Sequence, residues 1–148
     1  MTAMYILDTN HCVYLMNAVT PKGKALTAFE YNTLQFVNTL SETLYISQIT
    51  VAEMYFGMFN SQRVKENVLA FETFKKSFTV LPINDAICKL YGEKQAELNR
   101  STGKMSDSDL LIACTAIFYH ATLVTNDSGF NRLQPALKLE NWSIGTTP

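Results

Sequence analysis

The sequence lacks the features that mark exported, membrane-bound or disulfide-stabilised proteins. Its three cysteines, Cys12, Cys88 and Cys114, are odd in number and far apart, so they fit neither a disulfide framework nor a thiolate metal site. The N-terminus has no basic region ahead of a long apolar stretch, and no segment approaches the roughly 18 apolar residues of a membrane span. We therefore expect a soluble, unexported protein in a reducing cytoplasm.

An excess of charge of one sign is also missing. The 12 basic and 13 acidic residues give a net charge of −1, so the molecule as a whole offers no strong attraction to a nucleic acid. Hydrophobic residues, in contrast, make up 47% of the 148 residues, which is enough for one core of ordinary size. The composition predicts a single domain over residues 1–148 and leaves its partner open.

Short runs rich in β-branched and aromatic residues alternate with segments of helical periodicity. The runs predict strands at 5–7, 44–47, 78–81, 122–125 and, more weakly, 137–139. Helices are predicted around 29–40, from Asn84 to about Arg100, and from about Asp107 to Tyr119, with loops at 21–23 and 101–104. Strands that alternate with helices pair in parallel. We therefore predict an α/β fold, a three-layer sandwich with a central parallel sheet of four to five strands.

Four acidic residues fall where such a sheet would bring them together. Asp8 directly follows the first predicted strand, and Asp127 follows the fourth after one further residue. Glu53 lies one turn into a helix that we expect Thr50 to cap, and Asp109 lies in the first turn of its helix. Ligands of open parallel sheets bind outside the carboxyl ends of the strands. All four acids are therefore expected at one edge of the sheet.

Each acid alone has an ordinary structural explanation, because acids stabilise first helical turns and Asp often opens a turn. We keep that explanation for Asp107, which, like Ser106, is a candidate cap for the helix that carries Asp109. Four carboxylates together are different, since like charges ~4 Å apart repel by about 4 kcal/mol at an effective dielectric of 20. A cation is therefore expected among them.

The ligand set predicts which cation it is. Carboxylates accompanied by amides and hydroxyls, without thiolate, suit Mg²⁺ or Mn²⁺. The supporting polar residues are Thr9, Asn10, Thr125 and Asn126. The two histidines do not make a zinc pair: we expect His120 at a helix end, and His11 either solvated or capping, with a phosphate contact as the alternative.

Carboxylate-held Mg²⁺ is suited to phosphodiester hydrolysis, because the ion polarises the phosphoryl oxygen and lowers the pKa of an attacking water. The sequence contains no glycine-rich phosphate loop, no nucleophile elbow and no dinucleotide fingerprint. Hydrolysis by metal-activated water is the simplest chemistry that the acids predict.

Four segments resemble, in order and spacing, the motifs of the PIN-domain nucleases, and most of all those of the VapC-type toxins. They are Tyr5–Asn10, Ile49–Glu53, Asp109–Ala113 and Leu123–Asp127, and the resemblance extends to Trp142. It implies one PIN-like nuclease domain, Mg²⁺- or Mn²⁺-dependent endoribonuclease activity on RNA, a homodimer, and neutralisation by a cognate antitoxin protein. The family's catalytic and metal-binding acids carry over to Asp8, Glu53, Asp109 and Asp127.

The chain departs from the family pattern in two places. Many members carry a further acid just before the phenylalanine of the last motif, where this chain has Gly129 before Phe130. Asp127 is then the only acid that this segment supplies. The stretch Ala18–Thr43 is also long, which leaves the partner contacts near the second helix open.

Basic and apolar surface residues suggest where partners bind. Lys22, Lys24, Arg100, Lys104 and Arg132 lie on predicted loops or helix ends. A solvated role is the default for them, and Lys104 and Arg132 are the candidates for RNA contacts. The run Met54–Phe59 is too apolar for a one-sided helix, so we expect most of it in the core and part of it in a groove for a partner helix.

Two other functions remain open. An aspartate-dependent phosphatase or receiver-like domain also places acids at strand ends, but such a phosphatase has a second Asp two residues after its nucleophile, where this chain has Asn10. A non-catalytic PIN-like scaffold that binds RNA or protein is the other. Such scaffolds usually lose acids, whereas all four positions are filled here.

Overall fold

Strands and helices alternate along residues 2–145, which are the residues that the computed structural model describes. The strands are β1 (Tyr5–Leu7), β2 (Leu44–Ser47), β3 (Phe78–Leu81), β4 (Thr122–Val124) and β5 (Lys138–Glu140). The helices are α1 (Thr9–Val19), α2 (Ala28–Val37), α3 (Gln48–Phe59), α4 (Val64–Lys75), α5 (Asp85–Asn99) and α6 (Asp107–Phe118), and a 3₁₀ turn covers Ser128–Leu133. Within the described part of the chain, no helix has the length and apolar character needed to cross a membrane.

The five strands form one parallel sheet in the order β3-β2-β1-β4-β5. The first strand lies at its centre, with Leu7 opposite Ile46 on one side and Val124 on the other. The prediction of a central parallel sheet is confirmed. The fourth strand ends one residue earlier than predicted, and the fifth begins one residue later.

The sheet is covered on both faces, as the alternation of side chains along β1 shows. Ile6 and Leu7 are both fully buried, but successive residues of a strand point to opposite faces. Ile6 packs in a cluster with residues of α5 and α6. Leu7 packs in a second cluster with residues of α1, α3 and α4. This arrangement gives the three predicted layers.

Short polar side chains start the helices that follow the strands. Asn84 caps α5 through Ile87 N and Ser106 caps α6 through Asp109 N, as the sequence suggested. The expected cap at Thr50 is wrong. The hydroxyl of Ser47 accepts from Ile49 N at 3.1 Å, because α3 begins immediately after β2 ends, and Thr50 is buried inside the first turn.

The long stretch Ala18–Thr43 contains the end of α1, a loop and the whole of α2. Pro21–Gly23 lies in that loop, as predicted, and Gly23 has a positive φ of 67° that suits glycine. Thr27 and Glu30 form a capping box that starts α2. Phe36 of α2 stacks on the buried Trp142 with ring centroids 4.7 Å apart. The second helix is thereby fixed to the core.

A buried glutamine fixes the loop that leads into α6. Gln95 Nε2 donates to Met105 O at 2.9 Å, and Gln95 Oε1 accepts from Met105 N at 3.1 Å. Both residues are buried, so no solvent replaces these bonds. The pair fixes Met105, which lies two residues before the start of α6 and four residues before Asp109.

We predict that Gln95→Leu lowers the free energy of unfolding by about 2–4 kcal/mol, because it leaves a buried N–H and a buried C=O of Met105 without partners. Urea unfolding followed by circular dichroism measures the loss. Glu97→Gln, at an exposed position of the same helix, is the matched control and should change little. An unchanged urea midpoint for Gln95→Leu would show that the two hydrogen bonds between Gln95 and Met105 do not stabilise the fold.

Candidate active site

Asp8 joins the central strand to the first helix at the carboxyl edge of the sheet. Its N–H donates to Val124 O at 3.0 Å, and its carbonyl accepts from Cys12 N at 3.0 Å. Its carboxylate caps α1, because Oδ1 accepts from His11 N at 2.8 Å. Asp8 is only 5% exposed. Asp8 therefore has the structural role expected of a single Asp at a turn, in addition to its place beside the other acids.

Glu53 is tied to the residue that follows Asp8. Thr9 Oγ1 donates to Glu53 Oε1 at 2.6 Å, and it also lies 3.3 Å from the buried hydroxyl of Thr50. Thr50 therefore supports Thr9 and not the helix end. The contact brings α3 and the beginning of α1 together at the same edge of the sheet.

Asp127 lies just beyond β4, the strand next to Asp8. Thr125 Oγ1 accepts from Asp127 N at 3.0 Å, and Asp127 Oδ1 accepts from Gly129 N at 2.8 Å. A Cβ atom at Gly129 would lie 3.1 Å from that same Oδ1, so the glycine permits the close turn. Asn126, which lies between Thr125 and Asp127 in the sequence, donates from Nδ2 to the hydroxyl of Tyr14 at 2.9 Å.

Asp109 is half-buried in the first turn of α6 and experiences the charges of the other three acids. Its pKa is raised above the ordinary value of 3.8, chiefly by desolvation and further by the negative charges of Glu53, Asp127 and Asp8, while a hydrogen bond to Ser106 partly offsets the rise. The other three predicted acids therefore lie close enough to Asp109 for their charges to raise its pKa. Among the described residues, no lysine or arginine forms an ion pair with any of them.

The remaining predicted residues take different positions. Asn10 is exposed on α1. Asp107 does not cap α6, because Ser106 does; its carboxylate instead accepts a hydrogen bond from the Tyr91 hydroxyl at the exposed start of the helix. Arg132 Nη1 donates to Thr102 Oγ1 at 3.0 Å and to Gly103 O at 2.8 Å, and Lys104 in the same loop is exposed.

The two histidines differ from each other in burial. His120 is an exposed residue with a φ of 54° just after α6, at the helix end where it was expected. The expectation that His11 is solvated is wrong: its ring is fully buried, with Nδ1 3.2 Å from Asp8 Oδ1. In the sequence, the position of His11 three residues after Asp8 indicates a contact with a helix-capping Asp. That spacing alone does not show whether the ring is buried or exposed.

The donor set fits Mg²⁺ or Mn²⁺ in its chemistry, since four carboxylates supply hard oxygen ligands. Cys12, four residues after Asp8, is unsuited as a ligand because burial, and then the charge of Asp8, raise its pKa to about 12. In residues 2–145 no three acidic, histidine or cysteine side chains stand close enough to form a ready-made metal centre. Metal binding would therefore require some of these carboxylates to move closer to the others.

Comparisons with a family model, with related sequences and with solved structures all point to one protein family. The model of the PIN domain family matches residues 5–134. The ribonuclease VapC2 of Rickettsia felis is 35% identical over 140 residues, which are 94% of this chain and 98% of that protein. The tRNA(fMet)-specific endonuclease VapC of Shigella flexneri is 28% identical and covers 94% of this chain and 98% of its own length. A crystal structure of VapBC2 from Rickettsia felis bound to a DNA fragment from their promoter superposes with a TM-score of 0.76 at 34% identity, over 94% of this chain and 98% of that one.

We predict that Asp109→Asn raises the thermal midpoint in chelator near neutral pH. With its raised pKa, the folded protein holds the Asp109 proton more tightly than the unfolded chain does. Between the unfolded pKa and the raised folded pKa, stability therefore falls as pH increases, and the full penalty is present above the folded value. The asparagine variant lacks this contribution, so its profile in that window should be flatter.

Thermal unfolding in EDTA at several pH values, with Asp107→Asn as the matched control, measures this effect. Added Mg²⁺ should raise the midpoint of the parent more than that of Asp109→Asn, because a ligand stabilises the state that binds it. If asparagine at 109 lowers the midpoint near neutral pH, and Mg²⁺ shifts both proteins equally, the acid is a structural residue.

Proposed function

The chain belongs to the PIN domain family, and on this premise we propose that it is a metal-dependent endoribonuclease that acts as the toxin of a type II toxin–antitoxin pair. The relatives named ribonuclease and tRNA endonuclease, which match nearly the whole chain, support the nuclease activity. The single observation that carries the catalytic part is the position of Asp109 in the field of Asp8, Glu53 and Asp127.

The four carboxylates are the proposed catalytic and metal-binding residues. A divalent cation held by them would polarise the scissile phosphate and activate a water for attack. Asp8 directly follows β1 and its N–H donates to Val124 O, so the sheet fixes its backbone, whereas Asp127 lies three residues beyond the end of the adjacent strand β4. Thr9 orients Glu53 from the side, while Thr125 fixes the turn that carries Asp127.

The proposed substrate is RNA, and its phosphates need a positive neighbour beside this acidic site. Lys104 precedes the helix of Asp109, and Arg132 follows Asp127 by five residues. The contact of Arg132 with Thr102 and Gly103 brings both residues onto one rim of the molecule. Phosphate contacts of this kind orient an RNA without reading its bases.

The proposed partners are a cognate antitoxin and a second copy of the chain. The VapBC complex among the structural neighbours supports the antitoxin. The expectation that most of the run Met54–Phe59 lies in the core is met only in part: Met54 is buried, and Tyr55 and Met58 are half-buried against the core. Phe56 and Phe59, however, are 72% and 63% exposed. These two aromatic rings are the proposed partner contacts.

A non-catalytic scaffold is the less supported alternative. Such a protein has no use for four acids that repel one another at a cost to folding. The phosphatase reading is weaker still, because Asn10 occupies the position of the second aspartate.

We predict that the purified protein cleaves single-stranded or loop RNA only with Mg²⁺ or Mn²⁺. Asp8→Asn and Asp109→Asn should each reduce the rate by at least about 100-fold, since loss of even an outer-shell partner of a metal ligand costs 10–100-fold. Asparagine keeps the shape of the cap at residue 8. Asp107→Asn, two residues from Asp109, is the control and should retain activity.

The ends of the products test the chemistry separately. Attack by water in line with a departing 3′ oxygen leaves 5′-phosphate and 3′-hydroxyl ends. Cleavage that persists in EDTA, or that yields cyclic 2′,3′-phosphates, would contradict the proposed mechanism. Full activity of both asparagine variants would contradict the site.

We also predict that Phe56→Ser combined with Phe59→Ser weakens self-association or antitoxin binding, because truncation of exposed aromatic anchors removes the apolar contacts on which interfaces depend. Analytical ultracentrifugation of the chain alone, and calorimetric titration with the protein encoded beside it, measure the two interactions. Leu69→Ser on α4, at a residue that is also exposed, is the control. A parent chain that stays monomeric and binds no neighbouring gene product would overturn the partner proposal.

A further inference from the structure

His11 is a buried polar residue that has no part in the proposed hydrolysis. Its side chain is fully buried on α1, and its Nδ1 lies 3.2 Å from Asp8 Oδ1. Since Nδ1 faces a carboxylate oxygen, we assign the ring proton to that nitrogen. The other ring nitrogen, Nε2, is buried and makes no hydrogen bond to any residue that the structure describes.

This histidine is a costly choice for packing alone. A buried polar atom without a partner destabilises the folded state, whereas an apolar side chain at the same position carries no such loss. The cap of α1 does not need the imidazole either, because it is made by the backbone N–H of His11. The one polar contact that the ring makes with a described residue, from Nδ1–H to Asp8, is therefore where a function of the imidazole is expected.

The effect on Asp8 is directional. Both hydrogen bonds from His11, one from its backbone and one from its ring, end on the same oxygen, Oδ1. Two donors on one oxygen restrict rotation of the carboxylate, and they leave the second oxygen, Oδ2, for another ligand. Carboxylates that bind metals are generally held in this way by hydrogen bonds from outer-shell residues.

The ring of His11 also packs against an aromatic side chain. It packs edge-on against Tyr14, with ring centroids 5.3 Å apart. The hydroxyl of Tyr14 accepts from Asn126, the residue before Asp127. A continuous series of contacts thus connects the acid after β1 with the segment that carries the acid after β4.

We propose that His11 is a positioning residue for the cation site: through Nδ1–H it fixes Asp8 in the orientation in which Oδ2 binds a divalent metal. The inference rests on the proposed function, because it requires that Asp8 is a metal ligand. It assigns His11 no contact with RNA and no proton transfer.

The test is the affinity for Mn²⁺, measured by calorimetric titration of chelator-treated protein without RNA. His11→Leu, which fills the space and has no donor, should weaken Mn²⁺ binding roughly 10- to 100-fold. His11→Asn should restore most of the affinity, because its Nδ2 donates from nearly the position of Nδ1. His11→Gln, whose donor lies one bond further from the backbone, should resemble the leucine variant.

A stability measurement separates positioning from folding. In EDTA, His11→Leu should melt no lower than the parent, since it removes an unpaired buried nitrogen. Thr33→Val is the matched control. Thr33 is also fully buried, and its Oγ1 has no partner among the described residues, but it lies on α2, which carries none of the four acids. It should leave Mn²⁺ affinity unchanged.

The outcomes distinguish the two proposals. If the parent binds Mn²⁺ and all three His11 variants bind it equally well, the positioning role is overturned while the proposed nuclease stands. Equal weakening in the asparagine and leucine variants would also overturn it, because the donor would then be irrelevant. If the parent binds neither Mn²⁺ nor Mg²⁺, the metal-dependent function fails, and the inference about His11 fails with it.

Discussion

The pairing of β1 with both of its neighbours is the interaction on which the site depends. Because β1 lies between β2 and β4 in parallel register, the chain leaves all three strands at the same edge. Asp8 then continues the hydrogen bonding of β1 by one residue, through its N–H to Val124, before its own carboxylate starts α1. One residue thus ends a strand, caps a helix and supplies an acid, so its backbone cannot shift without disturbing the sheet.

The electrostatic consequence is that the ionised acids of the site destabilise the folded state. Burial and three like charges raise the pKa of Asp109, which means that its ionised form is disfavoured where it stands. The neighbouring structure resists this repulsion through local bonds such as that between Thr9 and Glu53, and the clamp of Gln95 on the loop before α6. Perturbed pKa values of this kind cluster at functional sites.

Much of this arrangement could be predicted from the sequence, and the parts that could not have physical reasons. The five strands and the helices from Asn84 and Asp107 follow from local periodicity and caps. Strand order is decided by crossovers and leaves no local signal. The cap at Ser47 was missed because that residue also ends a strand, and the burial of His11 was missed because burial depends on tertiary neighbours such as Tyr14.

A site with negative charge meets a substrate with negative charge, and this constraint links the proposals. The net charge of −1 gives RNA no long-range attraction, and the four acids repel a phosphate that approaches them. A divalent cation between the two relieves both repulsions at once, so metal and RNA should each strengthen the binding of the other. A cationic side chain from a protein partner would relieve only the repulsion among the acids, and it would compete with the metal for the same oxygens. Inhibition by such a partner would then need no change in the fold, because the partner would neutralise the charge that binds the proposed divalent ion.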